Sequence, residues 1–256
     1  MTAGTDDRRR AELVGALGAV RARIAAACEA VGRDPRSVTL IAVTKTYPVA
    51  DVLTLLRLGV TELAENRDQE AAAKAADVAA AAAAFTASAT DRSDEPLPAP
   101  TWHFVGQLQS RKCRSVAGYA SAVHSLDRPK LVTALAGAVA EVRDGRPLDV
   151  FVQVSLDADP DRGGAVPDAV PELADAVAGR PELRLRGLMA VPPIDADPDA
   201  AFARLAELSA QLRARHPAAD ALSAGMSGDL EAAIRHGSTH VRVGTALLGR
   251  RAPVFG

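Results

Sequence analysis

A chain of 256 residues, 48% hydrophobic, 24% charged and only 3% aromatic, can bury a large aliphatic core, which excludes disorder along its whole length. Its formal charge of -2 gives no overall attraction to nucleic acid or anionic lipid. Its two cysteines, Cys28 and Cys113, stand at no metal-ligand or redox spacing, which argues against a disulfide framework and a zinc site and fits a reducing compartment.

The first residues, MTAGTDDRRRAELVGAL, carry no apolar region behind their basic run, and no uncharged apolar stretch reaches the roughly 20 residues that span a bilayer. The expected location is the cytoplasm. Residues 1–9 read as a flexible N-terminus and 10–256 as one domain. Leu13, Leu17, Val20, Ile24, Cys28 and Val31 recur at three- and four-residue steps, placing them on one face of a helix that precedes the first strand.

A rhythm of short apolar runs and helical stretches then continues to the end of the chain. The eight runs are VTLIAVTK (38–45), TELAEN (61–66), HFVGQL (103–108), AVHSLD (122–127), DVFVQVSL (149–156), RLRGLMAV (184–191), ALSAGMS (221–227) and HVRVGT (240–245). Near-continuous apolar runs belong to strands buried on both faces, as parallel strands flanked by helices are. Helix punctuation lies between them: Pro48, Gly59, Pro129 after Asp127, and Gly237. Eight β-then-α units predict a closed (β/α)₈ TIM barrel with an extra N-terminal helix; an open doubly wound sheet is the rival, and no GxGxxG turn follows the first strand. The Ala/Pro-rich stretch at 86–101 departs from the rhythm and is expected to be a mobile loop.

Barrel active sites lie at the carboxyl ends of the strands. Those ends carry Lys45, Glu65 and Asn66, Gln107 and Gln109, His124 and Ser125, Met226 and Ser227, and Arg242 to Thr245. Lys45 follows an apolar run, so its stem starts at the rim of a low-dielectric interior where the ammonium is disfavoured and a neutral, carbonyl-seeking amine is favoured. A plain solvated lysine at a strand end is the bland alternative. Ser227-Gly228-Asp229 before a helix, with Gly244-Thr245 after the last strand, are the materials of a phosphate cradle; separately, they could be an N-cap and a turn. A lysine and a phosphate cradle across one mouth describe pyridoxal 5′-phosphate (PLP) or a sugar-phosphate aldolase. Arg242 aimed at a pyridine nitrogen would weaken the ring as an electron sink, but the strand period leaves its direction open. His103 and His124 read as satisfied core or rim residues, and Met189 and Met226 as barrel filler.

The fragments AVTKTYP (42–48), ENRDQE (65–70), WHFVGQLQSRK (102–112), VHSLD (123–127), VQVSL (152–156), RGLMAV (186–191), LSAGMSGDLEAAI (222–234) and VRVGTALLG (241–249) resemble the YggS/PROSC family of PLP homeostasis proteins, which are similar to the alanine racemase barrel domain. The resemblance implies a Schiff base between Lys45 and PLP, Asn66 beside the ring, Ser227, Gly244 and Thr245 on the phosphate, and Arg242 facing the pyridine nitrogen. Ala64, Arg67, Asp68 and Ser110-Arg111 depart from the family's usual residues, and none of these is Lys45 or part of the cradle.

The function so implied is a carrier or buffer in intracellular vitamin B6 homeostasis, without strong catalytic activity. Its partners would be PLP and PLP-dependent apo-enzymes, with no nucleic acid, no membrane, no metal and a monomeric state. An amino-acid racemase is the enzyme alternative. The racemases resembled carry a second domain that supplies the other base; no such domain is expected after Thr245, and Tyr47 and Tyr119 stand in no equivalent segment. A Schiff-base aldolase of a sugar phosphate is the second alternative.

Overall fold

The computed structural model describes residues 3–88, 96–157, 163–193 and 195–249. Among them, parallel strands β1 (Thr39–Val43), β2 (Glu62–Glu65), β3 (Thr101–Phe104), β4 (Ala122–Leu126), β5 (Leu148–Gln153), β6 (Leu183–Met189), β7 (Ala221–Ser223) and β8 (His240–Val243) pair in chain order. Pairing of β8 with β1, Ile41 opposite Arg242, closes the barrel.

Helices α1 (Ala3–Glu29), α2 (Val49–Arg57), α3 (Asp68–Ser88), α4 (Cys113–Tyr119), α5 (Pro129–Val142), α6 (Val170–Ala178), α7 (Pro198–Arg215), α8 (Leu230–Arg235) and α9 (Thr245–Leu248) surround it. The sequence punctuation acts where expected: Pro48 caps α2, Pro129 opens α5, and Gly59 and Gly237 follow α2 and α8 with φ of 75° and 91°. None of the helices described is long and apolar enough to cross a membrane.

Strand side chains alternate between two destinations. Leu40, Ala42, Leu63, Val241 and Val243 join the cluster beneath the helices, together with Leu13, Leu17, Val20, Ile24 and Cys28 of α1. The opposite parity fills the interior, where Ala122, Phe151, Met189 and Ala221 pack together. His124 stacks on Phe151 with centroids 4.2 Å apart, and His103 and His240 approach edge-on. This alternation points Arg242 inward, a direction the strand period left open.

Several expectations are corrected. Helix α1 begins at Ala3, so residues 3–9 are helical rather than a flexible terminus. Arg9 holds this end, with its guanidinium on both carboxylate oxygens of Asp51 at 3.0 and 2.8 Å and on the Leu248 carbonyl at 2.9 Å. Val31 lies past the helix end and is exposed. Of the loop expected over 86–101, residues 86–88 close α3, residues 89–95 lie outside the described residues, and Thr101 opens β3. Strand β3 ends at Phe104 rather than Leu108, and beyond it Gly106 passes so close to Asn66 that a Cβ there would lie 1.9 Å from its carbonyl oxygen. Met189 is barrel filler, but Met226 is exposed on the β7–α8 loop, past the turn made by Gly225 at φ 93°.

Candidate functional site

Lys45 shares its strand parity with Ile41 and Val43, so its stem leaves β1 on the interior side of the mouth. The residue is exposed. It sits in a tight turn in which the Tyr47 amide donates to the Thr44 carbonyl at 3.0 Å and Thr46 takes φ of 68°. A β-branched residue rarely adopts that left-handed conformation, at a cost of about 1–3 kcal/mol, so surrounding contacts must impose it.

Across the mouth, β8 runs into Gly244 and Thr245. Val43, Lys45, Thr46, Tyr47, Gly244, Thr245 and Gly249 line one cavity of about 330 Å³. The lysine and the β8–α9 turn, separated by two hundred residues of sequence, thus face one space. Tyr47 ties the two sides, its hydroxyl donating to the Gly249 carbonyl at 2.5 Å. Ser227 accepts from the Ala246 amide at 3.2 Å, which fastens the β7–α8 loop to the same turn. Asn66 lies outside this cavity and lines a neighbouring one of about 460 Å³ with Arg67, Gln107 and Lys112.

Arg242 is buried below the mouth. It donates to Ser223 Oγ at 2.7 Å and to the Ala190 carbonyl at 3.0 Å, and burial pulls its guanidinium down to about 10. From Ser223 a chain of contacts crosses the interior: to His124 Nδ1 at 2.9 Å, from His124 Nε2 to His103 Nδ1 at 2.8 Å, and from His103 Nε2 to Glu62 at 2.6 Å. Burial alone would raise the Glu62 carboxyl, but the hydrogen bond and attraction of His103 hold it below the ordinary range. Arginine can only donate and an ionised carboxylate only accept, so Arg242 donates into one end of this chain and Glu62 accepts at the other, with every ring nitrogen of His103 and His124 engaged between them. Both histidines are therefore satisfied interior residues.

A second polar group lies outside β1 and β2. Glu65, fully buried, accepts from Thr44 Oγ1 at 2.8 Å and from Lys74 Nζ at 2.6 Å. Burial raises its carboxyl above the ordinary range, against the pull of Lys74 and Thr44. Lys74 also donates to the Thr44 carbonyl at 2.7 Å and to Glu70 at 3.4 Å, and Glu70 accepts from the Thr46 amide. Sequence reasoning passed over Lys74 and Glu70; the available signal was three acidic or basic residues, 65, 70 and 74, on and beside one helix start.

The family model described as "Alanine racemase, N-terminal domain" matches residues 16–252. The pyridoxal phosphate homeostasis protein of Mycobacterium tuberculosis is 46% identical over 250 residues, covering 95% of this chain and 94% of that protein. The chain belongs to the pyridoxal phosphate homeostasis protein family. The family member of that name from Pseudomonas aeruginosa is 43% identical, covering 92% of this chain and 94% of its own. Among solved structures, PipY of Synechococcus elongatus, with PLP bound, superposes with a TM-score of 0.70 at 32% identity, over 88% of this chain and 100% of that one. A Bifidobacterium adolescentis protein described as unknown superposes with a TM-score of 0.83 at 30% identity, over 94% and 96%. The family's barrel also matches the alanine racemase of Streptomyces coelicolor, at 20% identity and a TM-score of 0.62, over 92% of this chain and 59% of that one, a likeness of fold alone.

Proposed function

We propose that this protein binds PLP at the barrel mouth and serves vitamin B6 homeostasis as a carrier or buffer, with Lys45 as the covalent partner. The observation that carries this reading is the single cavity shared by Lys45, Gly244 and Thr245. The PLP-bound PipY relative and the names of the curated relatives support it.

The donor set fits the group. PLP supplies an aldehyde carbon and a dianionic phosphate. Lys45 Nζ would offer the amine that condenses with this aldehyde, a C–N bond replacing the carbonyl C–O bond with loss of water. Gly244 carries no side chain between the anion and its backbone, and the Thr245 hydroxyl and the Ser227-bearing loop stand beside it. Asn66, at the adjoining cavity, would border the ring, and Arg242, buried beneath the mouth, would face its nitrogen and favour an unprotonated pyridine. The protein acts in the cytoplasm as a monomer that hands PLP to apo-enzymes.

Neither tyrosine is set to act as a second base opposite Lys45. Tyr47 donates to a carbonyl, and burial pushes the Tyr119 hydroxyl up, away from neutral pH. Adding PLP to the purified protein is expected to produce a visible absorption band. Lys45→Ala is expected to abolish it with the melting temperature unchanged, because Lys45 is exposed. A protein that stays colourless with excess PLP would contradict the reading and favour the aldolase.

A further inference from the structure

The turn that carries Lys45 is strained and exposed, yet the peptide groups on both sides of it are held from one direction. Lys74, 6% exposed in its side chain, directs its ammonium to three acceptors: the Thr44 carbonyl, Glu65 and Glu70. Those three bonds match the three N–H donors of a lysine. The carbonyl just before Lys45 is thereby fixed. Glu70 accepts from the amide of Thr46, the residue at φ 68°, so the amide just after Lys45 is fixed as well. Thr44 adds its hydroxyl to Glu65. Burying this ion pair is costly, and core side chains of similar volume would serve packing as well or better. The contacts gain a purpose if their task is the conformation of the turn.

We propose that Lys74 and Glu70 are positioning residues that hold the Thr44–Tyr47 turn in its left-handed form and so aim the Lys45 amine into the cavity shared with Gly244 and Thr245. The inference rests on Lys45 as the PLP-bearing residue. Without the clamp, the turn relaxes at Thr46 and the amine samples directions away from the aldehyde, while the phosphate turn keeps its own contacts.

Two ligands separate the effects. PLP needs both the amine and the phosphate turn; pyridoxine 5′-phosphate has no aldehyde and reports the phosphate turn alone. In Lys74→Met and in Glu70→Ala, the apparent Kd for PLP is expected to rise about tenfold or more, while that for pyridoxine 5′-phosphate stays within about twofold. Glu70→Gln retains an acceptor oxygen for the Thr46 amide and is expected to restore PLP affinity. In protein without PLP, hydrogen exchange at the Thr46 amide is expected to quicken about tenfold in Glu70→Ala, with the amides of β1 unchanged.

If Lys74→Met does not fold, the exposed-side variant Glu70→Ala decides. Equal weakening of both ligands assigns the group to stability alone and overturns the proposal, as does unchanged PLP affinity in Glu70→Ala. Wild-type protein that forms no band with PLP removes the target of the clamp along with the PLP reading. Unchanged Thr46 exchange in Glu70→Ala overturns the clamp while leaving that reading standing.

Discussion

At the scale of single residues, the interior of this barrel is unusual in holding polar rings where many barrels hold aliphatic layers. His240 lies in that interior against Phe151, and burial, reinforced by the nearby His103 and Arg186, pulls it from 6.5 down to about 4. The native state thus keeps this ring neutral while the unfolded chain takes up a proton below pH 6.5. Unfolded chains bind more protons in that window, so stability falls as pH drops from about 6.5 to 4 and levels off below, by about 3 kcal/mol from this residue. His124, pushed down by burial in the same way, acts in the same direction. Thermal melts across pH 7 to 4 are expected to show the decline, and His240→Gln to flatten part of it; an equally steep decline in the variant would assign the acid sensitivity elsewhere. Lys45, Gly244 and Thr245 could be read from residue type and strand end alone. The clamp around Lys45 could not, because Lys74 looks like any lysine on an alanine-rich helix until its partners are brought to it.

At the scale of elements, the strands were legible because both faces of each are buried, which leaves apolar runs with few polar interruptions. Element ends were legible where a glycine or proline acts through local geometry, as at the helix ends marked by Gly59, Pro129 and Gly237. Where an end depends on a neighbouring strand it was not, and β3 is the clear instance. HFVGQL is a plausible strand throughout, but the strand ends at Phe104, two residues before Gly106 passes the Asn66 backbone. Gly106→Ala would set a methyl against main chain that cannot rotate away, so overpacking is expected to cost about 3 kcal/mol. Urea unfolding checks this value. A loss below about 1 kcal/mol would mean that the β3 loop yields easily and that the placement of Asn66 does not depend on this contact.

For the whole molecule, the barrel brings strand ends remote in sequence to one mouth, and helix α1 braces the side where β8 meets β1. Arg9 joins α2 to the end of α9, and Arg23 meets Glu231 of α8 at 2.6 Å, so the helix that precedes the barrel also supports the turn opposite Lys45. The sequence contains four lysines. Lys74 and Lys112 are engaged by Glu65 and Asp68, Lys130 stands in the first turn of α5, and Lys45 alone among them lines the cavity with Gly244 and Thr245. That small number makes the account directly testable by trapping. Protein mixed with PLP, reduced with borohydride and digested, is expected to carry the phosphopyridoxyl group on the peptide containing Lys45; modification of Lys74, Lys112 or Lys130 in its place, or of none, would contradict it.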